Sequence, residues 1–289
     1  MLLLIDGNAL LHRYFHALPQ TMRTSNGELV NAIFGFLNAT LSLMDQFKPT
    51  HIVCTFDSPE KTFRHQSYEA YKATRMVPPP GLYEQLPRLL SVLQALGITS
   101  IAIPGYESDD LIGTFSKQAE SHGIASLIVS SDNDFIQLVS PLTNFYCTAK
   151  GLKKAERFTP EKVKEKHGLT PEQWLDYKAL RGDPSDNLPG VPGIGEKTAK
   201  QLLIHWHSLE NIYLHLDELP PAQREKLNQF SKQALFTKEL ATINRDVPVA
   251  LSFGDLLYNG AHNKAMHQLC IELEFHRLSK RFDVPDALF

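Results

Sequence analysis

Nine carboxylates stand at five places where short apolar runs give way to turns. They are Asp6, Asp57, the Glu107/Asp109/Asp110 group, the Asp132/Asp134 pair and the Asp183/Asp186 pair. Taken singly, an aspartate at such a point caps a helix, where it is favoured anyway. Gathered at one edge, nine of them repel one another, and a pair ~4 Å apart at an effective dielectric of ~20 costs about 4 kcal/mol. Hard divalent cations with oxygen ligands, Mg²⁺ or Mn²⁺, are the natural offset. A pair of such ions can activate water and stabilise a departing oxygen.

The elements that must position these groups can be read from the same stretches. Leu2–Ile5 runs into Asp6, His51–Phe56 into Asp57, and Ser126–Ser130 into Asp132 and Asp134. Each is a short apolar run of the kind that forms a strand buried on both faces. Ile101-Ala102-Ile103-Pro104-Gly105 precedes Glu107. Between them, Ala32–Phe47 and Tyr83–Leu96 carry apolar residues at helical spacing, and Leu111–Ala119 and Pro171–Leu180 read as further helices. Alternating strand and helix predicts an α/β fold with a parallel sheet, whose ligands lie beyond the carboxyl ends of the strands.

The 289 residues carry 29 basic and 32 acidic side chains, a net charge of −3. Without the nine acids the remainder is +6, so mild overall acidity does not exclude a nucleic-acid partner. No apolar run approaches the roughly 20 residues needed to span a bilayer, and Asp6 interrupts the opening one. Cys54, Cys147 and Cys270 are scattered, which argues for small buried hydrophobes in a reducing compartment rather than a zinc site or a disulfide framework.

Two further segments could meet a phosphate backbone. Arg64, Tyr68, Lys72 and Arg75 are spaced four, four and three apart, with Tyr71 beside them. On a helix they share one face that alternates cations with aromatic rings, the mixture that holds a single strand. Val77-Pro78-Pro79-Pro80-Gly81 ends any such helix. Later, Leu188–Ile194 leads through Gly193-Ile194-Gly195 into a helix starting near Glu196, with Lys197 and Lys200 in its first turns. Glycines let backbone approach a phosphate, and free N–H groups at a helix start point at it.

These residues resemble the bacterial 5′-nuclease family: the 5′→3′ exonuclease domains of DNA polymerases I and their flap endonuclease relatives. The resemblance is carried by Leu-Leu-Ile-Asp6-Gly-Asn, Phe56-Asp57, Lys61-Thr62-Phe63-Arg64, Tyr71-Lys72, Glu107-Ser108-Asp109-Asp110, Ser131–Phe135 and Gly182–Ala199. It runs from Asp6 to about Phe275. It implies a PIN-like parallel-sheet core with a helical arch (core 1–160, arch about 60–82). It also implies a mostly helical C-terminal lobe, 161–289, with a helix–turn–helix DNA-binding element at about 175–205. It implies two Mg²⁺ or Mn²⁺ ions held by all nine acids. Asp109, Asp110 and Asp132 would lie nearest the metals, Asp6, Asp57 and Glu107 around the first, and Asp134, Asp183 and Asp186 around the second. Lys72 and Arg75 would meet the scissile phosphate. Arg64, Tyr68, Tyr71, Gly193, Ile194, Gly195, Glu196, Lys197 and Thr198 would complete the DNA contacts. The family also implies K⁺ on the backbone carbonyls of Leu180, Arg181, Pro189, Val191 and Ile194.

The function so implied is hydrolysis of DNA at 5′ ends, 5′ flaps and double-strand/single-strand junctions, with RNA–DNA primers among the substrates. It belongs to replication and repair in the bacterial cytoplasm at the nucleoid. The chain would act as a monomer, alongside a polymerase, either alone or as an excised domain. Three alternatives compete: a PIN-type ribonuclease, a phosphatase with an aspartyl nucleophile, and a catalytically weak DNA-binding module. The phosphatase would want Asp-x-Asp after the first strand, where Asp6-Gly7-Asn8 stands.

Overall fold

The computed structural model describes residues 1–283, so the last six residues of the expected 161–289 lobe lie outside the described residues. Six strands form one sheet: β1 (Leu2–Asp6), β2 (His51–Thr55), β3 (Thr99–Ile101), β4 (Ser126–Ser130), β5 (Thr143–Cys147) and β6 (Glu156–Phe158), in the order β3-β2-β1-β4-β5-β6. The first five run parallel, as the apolar runs predict for β1, β2 and β4; β5, which no such run marks, extends the sheet, and β6 adds an antiparallel edge, where Phe158 stacks on Phe145.

The central strands are apolar on both faces because both faces are covered. Leu2 and Leu4 of β1 enter one core cluster and Leu3 and Ile5 the other, and β2 and β4 alternate likewise. On one face lie α1 (Gly7–Ala17), α2 (Asn31–Phe47), α5 (Leu86–Ala95) and α13 (Asn263–Glu272). On the other lies α6 (Ser108–Ser121), followed by the C-terminal lobe, in which α8 (Gln173–Arg181) packs on α9 (Glu196–Trp206) and α12 (Ser231–Ala241). Leu2 and Phe115 share a single core with Trp174, Leu180 and Leu203, so apolar packing joins the two lobes without a break.

The connection between β2 and α5 departs from expectation. It is helical at α3 (Phe63–Ser67) and again at α4 (Pro80–Glu84); residues 69–75 form turns. Lys72 has a left-handed backbone (φ 55°), which a continuous helix cannot contain. The 4-4-3 spacing is therefore not expressed as one helical face. Its three cations turn inward to charged partners instead, as described below.

In the C-terminal lobe α8 ends at Gly182 (φ 84°), which begins the two-residue strand β7 (Gly182–Asp183) paired antiparallel with β8 (Leu188–Pro189). The Val191 N–H donates to the Leu180 carbonyl at 2.8 Å, locking the return of this hairpin onto α8. At Gly190 a Cβ would collide with the backbone of Arg181 and Gly182. Gly190→Ala is expected to spread this hairpin and lower stability by roughly 1–3 kcal/mol, read by denaturant unfolding. Near-parent stability would show that the hairpin tolerates the wider separation.

Candidate active site

The carboxyl edge of the sheet carries a cleft of about 550 Å³ lined by Asp6, Asp57, Asp109 and Asp132, with Asn8, His12, Lys72, Arg75 and Tyr83 on its walls. Asp6 ends β1 and caps α1, accepting the Ala9 N–H at 3.0 Å; its other oxygen accepts the Ser130 hydroxyl at 2.6 Å. Asp57 follows β2, accepting the Ser108 N–H at 2.8 Å and the Asn8 amide. Asp109 stands in the first turn of α6, where a helix N-terminus favours negative charge. Asp132 follows β4 and accepts the Asp134 N–H at 2.9 Å.

A second cavity of about 510 Å³ adjoins the first, sharing Arg75, Ser131 and Asp132 with it. Asp134 and Asp183 line this second cavity, and together with Asp186 they place one carboxylate oxygen each within 4.8 Å of one another. Oxygens on an octahedral Mg²⁺ lie ~2.9 Å apart when adjacent and ~4.2 Å when opposite, so the three would draw together to share one ion. Asp134 comes from the turn after β4 and the other two from the β7–β8 hairpin, so this subsite exists only where the lobes meet.

Protonation shows how strained this concentration of charge is without ions. Burial pushes Asp6 up to about 7 despite its hydrogen bonds from Ser130 and Ala9, and Asp57 and Asp132 add repulsion. Burial, then Asp6 and Asp132, hold Asp109 well above the usual carboxylate range. Asp134 is likewise pushed up to about 7 by burial and by Asp132, although Lys178 opposes the shift. Burial disfavours ionised Asp183 too, but Lys178 and Ser185 outweigh it and hold that carboxyl low. An all-oxygen donor set in which Asp6, Asp109 and Asp134 are held above the usual carboxylate range fits hard divalent cations.

Of the nine expected ligands, the structure turns Asp110 away. Its carboxylate is fully buried and receives both arms of Arg64 at 2.8 Å, with N–H groups of Glu107 and Asn244 at 3.1 and 2.8 Å. No face remains for an ion, so Asp110 is the counter-charge of Arg64 rather than a metal ligand. Arg64 is correspondingly no contact for DNA. It is 2% exposed and also donates to the Leu240 and Thr242 carbonyls, tying α3 and α6 to the end of α12.

Tyr71, expected to stack on a base, is buried, and its hydroxyl lies 3.1 Å from both Glu107 and Asp186. Burial, then Glu107 and Asp186, raise this phenol, so it remains a donor. Tyr68 packs edge-on against Phe236. The Lys72 ammonium meets Glu107 at 2.8 Å, and Arg75, half-exposed, meets Asp186 at 2.6 Å. The left-handed backbone of Lys72 is held by its N–H donating to the Asp186 carbonyl at 3.0 Å.

The second DNA-facing segment is more open. Gly193, Gly195, Glu196 and Lys197 are exposed, Thr198 half-buried and Ile194 buried, with Gly195 at the start of α9. Among the carbonyls expected to hold K⁺, Leu180 accepts the Val191 N–H, Val191 the Ile194 N–H at 2.9 Å, and Pro189 the Thr237 hydroxyl at 2.7 Å. Asn8, His12 and Tyr83 on the first cavity and Lys178 on the second are functional-site residues that the sequence pattern does not single out. Asn8 is signalled only by its place in the Asp6-Gly7-Asn8 run. Lys178 offered no signal of its own, because a lysine on a helix is ordinarily solvated.

A parallel sheet with an acidic carboxyl edge, completed by two carboxylates from a hairpin of the helical lobe, has the oxygen donors of the divalent-cation phosphodiesterase class of site. The chain belongs to the 5′-3′ exonuclease family. Residues 1–168 match its N-terminal resolvase-like domain and residues 169–264 its C-terminal SAM fold. The chain is 42% identical to DNA polymerase I of Bacillus subtilis over 287 residues, 99% of this chain and 32% of that protein. It therefore spans about a third of the length of the curated relatives it matches. Among solved structures, the T5 D15 protein co-crystallised with metal ions superposes with a TM-score of 0.68 at 18% identity, covering 97% of each chain. The catalytic core of Rad2 in complex with DNA substrate gives 0.64 at 14% identity, covering 98% of this chain and 91% of that one.

Two outcomes are expected. Unfolded, Asp6 and Asp134 titrate near 4; folded and metal-free, they keep protons until about pH 7. The folded state thus binds more protons in between, and stability falls as pH rises from about 4 through about 7. Saturating Mg²⁺ should flatten that slope in thermal unfolding, and a slope unchanged by the ion would deny that these groups meet it. Arg64→Met, which leaves Asp110 uncompensated, should cost ~3–5 kcal/mol in chemical denaturation.

Proposed function

We propose that the chain hydrolyses DNA phosphodiesters at 5′ ends and at the base of 5′ flaps, as a 5′→3′ exonuclease and flap endonuclease of replication and repair. The observation that carries this is the continuous acidic cleft in which two carboxylate subsites meet at Asp132, with Lys72 and Arg75 on its wall. Family membership supports the same reading.

Asp6, Asp57, Asp109 and Asp132 would hold one Mg²⁺ or Mn²⁺, and Asp134, Asp183 and Asp186 the other, with Glu107 between them through its contacts to Lys72 and Tyr71. Such ions, when bound, lower the pKa of water and neutralise charge on a phosphoryl group. The chain's own residues do the rest. Asn8 and Ser108 orient Asp57, and Ser130 orients Asp6. Lys72 and Arg75 neutralise the phosphate as charge builds on it. The exposed backbone at Gly193 and Gly195–Lys197, at the start of α9, grips a duplex phosphate without reading sequence. A K⁺ ion in this hairpin would draw on the second lone pairs of the Leu180, Pro189 and Val191 carbonyls, with those of Arg181 and Ile194.

RNA–DNA primers as substrates, action as a monomer beside a polymerase, and work at the bacterial nucleoid belong to the same proposal. They rest on relatives named DNA polymerase I that are about three times as long. Among the described residues no helix is long and apolar enough to cross a membrane.

A labelled 5′-flap duplex tests the reading. Mg²⁺-dependent release of the flap, abolished by EDTA, is expected. Binding without cutting in Mg²⁺ would favour a DNA-binding module, and cutting confined to single-stranded RNA would favour a ribonuclease. Asp109→Asn should slow flap cleavage by about a hundredfold or more while the dissociation constant stays within about tenfold. Unchanged turnover would remove Asp109 from the site.

A further inference from the structure

The second subsite already contains a cation supplied by the chain. Lys178 projects from α8 with its side chain 91% buried, and its ammonium bridges Asp134 and Asp183, the latter at 2.7 Å. The third member, Asp186, is engaged by Arg75 at 2.6 Å. These are the three residues whose oxygens lie close enough to share one metal ion. The ammonium therefore occupies the space between two ligands that a divalent ion must occupy to touch both.

We propose that Lys178 is a resident counter-ion of this subsite, and that loading of the ion there is an exchange in which the Lys178 ammonium is expelled. The inference rests on the reading of Asp134, Asp183 and Asp186 as metal ligands. An ammonium and a divalent ion repel, and both carboxylates cannot direct the same oxygens at two cations in one place. The displaced side chain has somewhere to go: the cavity beside it is walled by Trp174, Tyr177, Arg181 and Glu196. A four-carbon stem with three rotatable donors makes that swing without moving α8. Before ions arrive, the ammonium offsets part of the negative charge at the lobe junction. It also makes the second ion bind more weakly than the first, since it must dislodge an internal competitor.

Two measurements without DNA test this. Amine acylation of the parent protein, read by mass spectrometry and normalised to exposed Lys197, should label Lys178 several-fold faster in saturating Ca²⁺ or Mg²⁺ than in chelator. Labelling that stays constant or falls would overturn the exchange, because the lysine would then remain in its bridge. In calorimetric titration with Mn²⁺, Lys178→Met should tighten the weaker binding event about tenfold, whereas Lys178→Arg, which keeps the charge, should stay within about threefold of the parent or bind more weakly. If Lys178→Met does not fold, Lys178→Gln is read in its place. Unchanged or weaker binding by the neutral variant overturns the exchange alone. A parent protein that binds no Mn²⁺ overturns the metal reading with it.

Discussion

Negative charge buried beyond what water can solvate must be met by positive charge, and this requirement organises the molecule. The carboxyl edge of the sheet gathers aspartates from β1, β2, α6, the turn after β4 and the β7–β8 hairpin. Some of the demand is met internally: Arg64 closes on Asp110, Lys72 on Glu107, Arg75 on Asp186, and Lys178 on Asp134 and Asp183. The rest falls on Asp6 and Asp109, which hold protons where carboxylates ordinarily do not, and burial raises Asp134 in the same direction even against Lys178.

The fold makes this concentration durable. Strands apolar on both faces need helices on both faces, and parallel strands then end at a common edge. The same edge presents the start of α1 after Asp6 and the start of α6 beside Asp109, whose N–H groups face the acids. One uninterrupted core running from Leu2 to Leu203 sets the separation between Asp134 on the sheet and Asp183 and Asp186 on the hairpin. Arg64 adds a polar bolt across the same junction, reaching α6 and the chain just past α12 from α3.

Residues 69–75 show how the charge balance overrides local preference. Spacing alone would lay their cations and rings along a helix open to solvent. Instead the backbone turns at a left-handed Lys72, and Tyr71, Lys72 and Arg75 point into the acids. A strained residue is tolerated because several charge-assisted hydrogen bonds form at once. Met76 and Val77 stay almost wholly exposed at the mouth of the cleft, beyond the reach of those bonds.

The central strands, their parallel sense and their functional edge were legible in the chain, because apolar runs ending in aspartate carry both the burial and the turn; β5 and the antiparallel β6 end in no such aspartate and were not. The family was legible in the motif from Gly182 to Ala199, whose glycines answer to close backbone approach at Gly190 and a positive φ at Gly182. What spacing could not tell is which carboxylates face the cleft. Asp109 and Asp110 are neighbours in sequence, yet 100° of helical rotation sends one to the site and the other to Arg64. Nor could it show that Lys178 is internal, since burial of a lysine depends on partners 44 residues away and across two lobes. Local pattern determines where chemistry-bearing residues enter the fold. Only long-range packing decides which of them meet, because pairing energies depend on distance and desolvation, and neither exists until the chain has closed.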